Sequence, residues 1–120
     1  MEFDSDLFLV KETNIYQKKI LSDIEIYQRW QDLQNWQIKD DKLSYTHQFK
    51  NFVEAINFIN CLIIPAEIGN HHPDIAISYN QVTINLTTRD IGGLTPLNFE
   101  LATTISQLIK TWKSGKQCKY

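Results

Sequence analysis

The spacing of apolar residues predicts that the chain begins its ordered part with a helix. Ile26, Trp30 and Leu33 recur at helical intervals after the run Ser22-Asp23-Ile24-Glu25. That run is a capping box, in which a serine hydroxyl and a carboxylate three residues later satisfy backbone donors at a helix start. We therefore expect a helix from about 23 to 34.

Two pairs of alternating segments predict β-hairpins. In the first, Asp40-Asp41 supplies the turn between Trp36-Gln37-Ile38 and the run 42–49, where apolar or aromatic residues occupy every second position. In the second, the segments 75–79 and 82–86 alternate on either side of Asn80-Gln81. A two-residue turn there predicts three facing pairs: Tyr79 with Val82, Ile77 with Ile84, and Ile75 with Leu86.

Two further helices follow from capping residues and periodic apolar positions. Asn51 caps a helix in which Pro65, near the end, predicts a kink or an early stop, and Gly69-Asn70 closes the segment. Thr95-Pro96 begins the last helix, and Gly115 ends it. The core stripe predicted for the last helix is Leu101, Ile105, Leu108 and Trp112.

The element order is helix, strand, strand, helix, strand, strand, helix. It predicts an α+β domain: a four-stranded antiparallel sheet with helices packed on one face. We expect the domain at 21–115, with an N-terminal extension at 1–20 and a C-terminal tail at 116–120. A domain of this size buries a modest core, so self-association is a natural way to extend it.

Composition and charge exclude several functional classes. A net charge of −2 gives no reason to expect nucleic acid or a membrane surface as a partner. The longest apolar stretch, 61–66, is too short to span a bilayer, and the acidic N-terminus lacks a signal pattern. We therefore expect a cytoplasmic protein. The two cysteines, Cys61 and Cys118, suggest no disulfide framework.

The run Glu67-x-x-x-His71-His72-Pro73 carries the strongest chemical signal. It lies between a predicted helix and a predicted strand, where loops often hold functional groups. Histidine exchanges protons near neutral pH, and neighbours in an extended segment point in opposite directions, so the two rings would play different roles. Glu67, one helical turn before His71, would hold that ring in one tautomer.

Other interpretations of these residues stay open. Two adjacent histidines in a loop are often solvent-facing polar residues. A metal site would need a further histidine or cysteine at ligand spacing, and none is present. His47 belongs to the alternating series of apolar positions in its strand, which favours a place on that sheet face over a catalytic role.

Several segments together resemble the pterin-4a-carbinolamine dehydratase family. The similarity covers about residues 22–112 and includes the Glu67-x-x-x-His71-His72-Pro73 run. The matching segments are 49–55, 66–74, 79–82, 86–88, 92–95 and 99–102. The family fold has the same element order that periodicity predicts.

The resemblance implies a dehydratase of pterin recycling that needs no metal or organic cofactor. Its substrate is a 4a-hydroxytetrahydropterin, which loses water to give the quinonoid dihydropterin. By position, His71 would act as acid/base at the 4a-hydroxyl, His72 would help to hold the pterin ring, and Glu67 would support the pair. Family members are homodimers or homotetramers, and the resemblance implies no direct contact with nucleic acid.

Two positions depart from the family pattern. Arg89 stands where the family has a third active-site histidine, and Asn98 stands where it usually has an aspartate. Arginine cannot act as a general base, although it donates hydrogen bonds. We expect His72, Pro73, Arg89 and Asn98 to contact the substrate.

The same departures support an alternative to catalysis. Some relatives on this fold are binding proteins or assembly factors, for example in Rubisco assembly, and a fold does not fix a function. A third hypothesis is an interaction domain in which the two histidines are incidental.

Overall fold

The computed structural model describes residues 19–113, Gly115 and Cys118. Most of the expected extension at 1–20 and of the expected tail at 116–120 therefore lies outside the described residues. In chain order the elements are α1 (Asp23–Trp30), β1 (Gln37–Lys39), β2 (Lys42–Gln48), α2 (Phe52–Asn60), α3 (Ile63–Ile68), β3 (Asp74–Ser78), β4 (Gln81–Leu86) and α4 (Pro96–Lys113).

The four strands form one antiparallel sheet in the order β1-β2-β4-β3. One face carries polar side chains, among them Thr46 and Thr83, whose hydroxyl oxygens are 3.0 Å apart. The other face is apolar and forms the core with the helices, because alternate side chains of a strand point to opposite faces. The central buried side chains of this core come from the sheet and from α4: Leu43, Val82, Ile84, Leu86, Leu101, Ala102, Ile105 and Trp112. The predicted α+β class and element order are confirmed.

The first hairpin forms as predicted, whereas the second is shifted in register. Asp40 and Asp41 both have positive φ, as a tight mirror-image turn requires. In the second hairpin Ile77 faces Val82 and Ile75 faces Ile84, two residues away from the predicted pairing.

The turn of the second hairpin is centred one residue earlier than predicted, with Tyr79 at φ 55°. Asn80 is held at the end of β2: its backbone carbonyl accepts from Phe49 N–H at 2.7 Å, and its amide donates to the Phe49 carbonyl at 2.8 Å. This long-range anchor fixes the turn. A shift of two residues keeps every side chain on its predicted face.

The predicted helices form with different bounds. Ser22 and Glu25 make both hydrogen bonds of the capping box, yet α1 ends at Trp30, earlier than predicted. The helix expected through Pro65 is divided into α2 and α3 before it reaches that residue. Pro65 lacks an N–H, and its ring would clash with the carbonyl of Cys61 in a continuous helix. In the first turn of α3 a backbone N–H has no partner within the helix, so the missing N–H of Pro65 costs no hydrogen bond there.

Cys61 and Cys118 form a disulfide, contrary to the expectation from sequence. Their Cα atoms are 5.8 Å apart, although 57 residues separate them along the chain. A single pair at this separation shows no recognisable spacing, so only the fold brings the two thiols together. The bond attaches the segment after α4 to the end of α2.

None of the helices in the described ranges combines the length and the apolar character needed to cross a membrane.

Candidate active site

The turn after α3 sends two adjacent histidines to different environments. Asn70 has φ 48°, and His71 N–H donates to the Ala66 carbonyl at 3.0 Å, which ends the helix by turning the chain back across it. His71 is only 9% exposed, whereas the His72 side chain is 58% exposed. The expected difference between the two rings is therefore visible in their burial.

His71 belongs to a buried group of polar side chains, which we call the Asn98 cluster: Thr88, Thr95, Asn98 and His71. Asn98 Nδ2 and His71 Nε2 are 2.7 Å apart. Asn98 Oδ1 accepts from Thr95 N–H at 2.8 Å and from the Thr88 hydroxyl at 3.1 Å. The two threonine hydroxyls are 2.8 Å apart. A buried polar group without a partner costs about 1–3 kcal/mol, so this closed set of bonds holds each member in place.

The start of α4 and the loop before it build this cluster. Asn98 is three residues after Thr95, so its side chain reaches the free backbone donor at the helix start while Asn98 N–H donates to the Thr95 carbonyl at 3.0 Å. Thr88 and Gly93 pair across the loop, where Gly92 has φ 77°. Closing this loop brings Thr88 beside Thr95.

A close approach by the N-terminal segment also fixes this loop. A Cβ atom at Gly93 would lie 2.7 Å from Ile20 Cδ1, so the Ile20 side chain would have to shift to accommodate any larger residue there. Leu21 N–H donates to the Leu94 carbonyl at 2.9 Å. Residues 20 and 21 therefore support the loop that carries Thr88.

Sequence reasoning missed the role of both threonines. The sequence pattern identifies Thr95 only as a helix cap, and Thr88 only as part of a segment similar to the family. A usable signal was available, because the two residues flank the Gly92-Gly93 turn and a short loop brings its ends together.

Glu67 pairs with His72, not with His71 as expected. Its Oε2 atom is 2.6 Å from His72 Nε2. The expectation required the helix to continue to His71, but α3 ends at Ile68 and the following turn rotates His71 into the core. The Glu67 and His72 side chains are both mostly exposed, so the pair can exchange protons with solvent.

Arg89 forms an ion pair with Asp74, the first residue of β3. The hydrogen bond to Asp74 raises the pKa of Arg89, and the negative charge of that carboxylate raises it further. The guanidinium is therefore a permanent cation, exposed at the surface beyond the end of β4. Asp74 follows Pro73, which is partly exposed, and was not singled out from the sequence.

The predicted site residues thus fall into three contacts: His71 with Asn98, Glu67 with His72, and Arg89 with Asp74. Among the residues that the structure describes, no three histidine, cysteine or acidic side chains are grouped so as to hold a metal ion.

A surface cleft of about 460 Å³ lies elsewhere, between the segment after α1 and the last turns of α4. Its lining includes Trp36, Tyr45, Lys110 and Lys113, and none of the predicted site residues. Each of the two adjacent histidines has an amide or acidic partner at hydrogen-bond distance from its ring, so the candidate site is assigned to the histidines.

Sequence comparison shows which proteins this chain is similar to. Residues 19–108 match the family profile described as pterin 4 alpha carbinolamine dehydratase. A protein from Cyanothece sp., provisionally named pterin-4-alpha-carbinolamine dehydratase, is 51% identical over 94 residues, which are 78% of this chain and 97% of that protein. A protein with the same provisional name from Sulfurisphaera tokodaii is 41% identical over 91 residues, covering 76% and 98% of the two chains.

A solved structure gives the same result for the fold. The crystal structure described as a transcriptional coactivator/pterin dehydratase from Brucella melitensis superposes with a TM-score of 0.70 at 27% identity. The match covers 74% of this chain and 97% of that one.

Proposed function

The chain belongs to the pterin-4a-carbinolamine dehydratase family, and from this premise we propose that it removes water from a 4a-hydroxytetrahydropterin to give the quinonoid dihydropterin. The observation that carries the proposal is the juxtaposition of one buried and one exposed histidine, each with a ring nitrogen bound to a polar partner. Two rings in different environments can take different parts in one proton-transfer reaction.

The reaction requires the movement of two protons. The bond from C4a to the hydroxyl breaks, one proton reaches the departing oxygen to make water, and the ring loses one proton from nitrogen as a C=N bond forms. A hydroxyl is a poor leaving group, so a positioned proton donor accelerates the step by typically ~10²–10⁴-fold. In this proposal His71, His72 and Glu67 form the reacting end of the site, and Pro73 contributes to the surface on which the pterin rests.

In this proposal Arg89 and Asn98 have other roles than a histidine and an aspartate would have at the same positions. Arg89 cannot accept a proton, and in this proposal its exposed guanidinium donates hydrogen bonds to the substrate beside Asp74. Asn98 is fully buried and contacts His71, which supports an indirect role over direct contact with the pterin.

A second candidate is a binding or assembly protein on the same fold. The observation that favours it is the Arg89–Asp74 ion pair, because a permanent cation replaces a titratable group there. The retained Glu67–His72 pair favours the enzyme, since a scaffold has no need of it.

The deciding experiment measures dehydration of a synthetic 4a-hydroxytetrahydropterin by the purified protein. We expect a rate clearly above the uncatalysed one, and a loss of at least about tenfold in kcat/KM for His71→Ala and for His72→Ala. His47→Gln is the matched control, because it removes the remaining histidine of the chain at a position among core aromatic rings.

Arg89→His extends the same assay to the position that departs from the family. A gain in rate would identify Arg89 as the residue that limits proton transfer. A wild-type rate equal to the uncatalysed rate would reject the enzyme hypothesis and leave the binding protein.

We also propose that the protein acts as a homodimer or homotetramer. The supporting feature is β3, which is an edge strand, so one row of its backbone groups has no strand partner within the described chain. Ile75 and Ile77 on this strand are 37% and 36% exposed, and a second copy would cover them.

A further inference from the structure

The orientation of the Asn98 side chain follows from a single backbone donor. Thr95 N–H lies 2.8 Å from Asn98 Oδ1. A backbone N–H can only donate, so the atom facing it must be the amide oxygen, and the amide nitrogen must face the other way. The Thr88 hydroxyl, 3.1 Å from the same oxygen, supports this orientation.

The amide orientation determines which nitrogen of His71 carries a proton. Asn98 Nδ2 can only donate, and it lies 2.7 Å from His71 Nε2. Nε2 must therefore be the acceptor, and the proton of the neutral ring must sit on Nδ1. An imidazolium would bring an Nε2–H donor against the amide donor, so this contact excludes the doubly protonated ring.

We infer that Asn98 is a positioning residue that locks His71 as the neutral Nδ1–H tautomer. The inference rests on the proposed function for its catalytic consequence. A neutral His71 that accepts a hydrogen bond at Nε2 does not deliver a second proton to the departing hydroxyl. The Glu67–His72 pair carries that proton, because the Glu67 carboxylate lies at hydrogen-bond distance from His72 Nε2 and both side chains are mostly exposed.

Two charged side chains close to His71 in sequence are bonded to other residues. Glu67 is bonded to His72, and Asp74 is bonded to Arg89. Asn98, whose amide nitrogen lies 2.7 Å from His71 Nε2, is uncharged and fully buried. The neutral amide is therefore the group that faces Nε2.

The direct test is the tautomer of His71 in the wild-type protein without substrate. Long-range ¹H–¹⁵N correlation spectra of protein labelled with ¹⁵N-histidine distinguish a protonated ring nitrogen from an unprotonated one. The chain has three histidines, so His47→Gln and His72→Gln assign all three signals. We expect His71 to show protonated Nδ1 and unprotonated Nε2; a protonated Nε2 would overturn the inference.

Asn98→Asp tests the cause. A carboxylate of the same shape still accepts from Thr95 N–H but can only accept from His71. We expect Nε2 to become protonated in this variant. Thr88→Val is the matched control: it removes one donor to Oδ1 but leaves Thr95 N–H in place, so the wild-type tautomer should persist. An unchanged tautomer in Asn98→Asp contradicts the inference, and if that variant does not fold, the wild-type and Thr88→Val spectra decide.

Kinetics of the Asn98→Asp variant test the catalytic consequence. When a carboxylate accepts from Nε2–H, His71 can hold a second proton and act as an acid, so we expect kcat to rise at least about tenfold with KM within about threefold. A fall in kcat after the tautomer has switched would contradict the assigned role of Asn98. If the wild-type protein shows no dehydration, the proposed function fails, while the tautomer spectra still test the inference.

Discussion

At the scale of single residues, the partner atom decides what a histidine can do. His71 and His72 are neighbours in sequence, but one ring faces an amide nitrogen and the other faces a carboxylate. An amide donor stabilises a neutral ring, whereas a carboxylate stabilises a protonated one. An amide at position 98 therefore gives the site a different chemistry from that of a carboxylate, although the two side chains have nearly the same shape.

Glu67→Gln should separate catalysis from stability. The variant keeps the shape of the side chain but loses the negative charge that faces His72 Nε2. We expect kcat to fall at least about tenfold, because proton transfer loses its stabilising charge. The free energy of unfolding should change by less than about 1 kcal/mol, since both side chains are mostly exposed.

Dehydration kinetics and urea denaturation of the same preparation give both quantities. Glu25→Gln is the matched control, because it removes an exposed carboxylate on α1 while glutamine keeps the capping interaction. Equal kcat values for Glu67→Gln and the wild type would remove Glu67 from the mechanism.

At the scale of elements, β2 contributes a row of rings to the helix-covered face of the sheet. Tyr45 stacks on Trp36 with ring centroids 5.3 Å apart, and His47 meets the edge of Phe49 at 4.7 Å. The Tyr45 hydroxyl is 3.1 Å from His47 Nδ1. His47 is therefore a packed sheet-face histidine, as its alternation predicted.

The stability of the protein should fall as the pH drops below about 6.5, in part through His47. Burial lowers the pKa of His47, and the positive charge of Lys113 lowers it further. Below the pKa of an unfolded histidine, the unfolded chain binds more protons than the folded one, so acid favours unfolding. Urea denaturation across pH 5 to 8 measures the effect.

His47→Gln should reduce this pH dependence. The comparison of the two proteins isolates the contribution of His47. Identical slopes of unfolding free energy against pH in the variant and the wild type would contradict the prediction.

At the scale of the whole molecule, the sheet has two edges of different character. The β1 edge strand has three residues, and a short strand is a poor template for pairing. The β3 edge strand has five residues, two of them half-exposed isoleucines. The β3 edge is therefore the surface on which we expect a second copy of the chain to pair.

Ile77→Lys should shift the protein from an oligomer to a monomer. A lysine on the β3 edge places a charge where the partner strand would bury apolar surface. Sedimentation equilibrium measures the mass of each form. Ile24→Lys is the matched control, because Ile24 is an exposed isoleucine on α1. A wild-type monomer, or an unchanged mass in Ile77→Lys, would contradict the proposed interface.

The sequence by itself determined the fold class, the family and the segment that carries the two histidines. Periodicity and capping residues are local signals, so they indicated where helices and strands form and which face of the sheet the alternating residues occupy, but not every boundary. The capping box at Ser22 and the turn at Asp40-Asp41 depend on neighbouring residues alone, and both form as predicted.

The tertiary structure decided the contacts between segments that are distant in sequence. Asn80 reaches Phe49 across 31 residues and sets the turn of the second hairpin, and Cys61 bonds Cys118 across 57. Asn98 reaches His71 across 27 residues, whereas the spacing of four residues predicted Glu67 as the partner of that ring. Spacing along the chain carries no information about such pairs, because packing of helices and loops brings them together. The identities of His71 and Asn98 were visible in the sequence, and only the fold showed which atoms face each other.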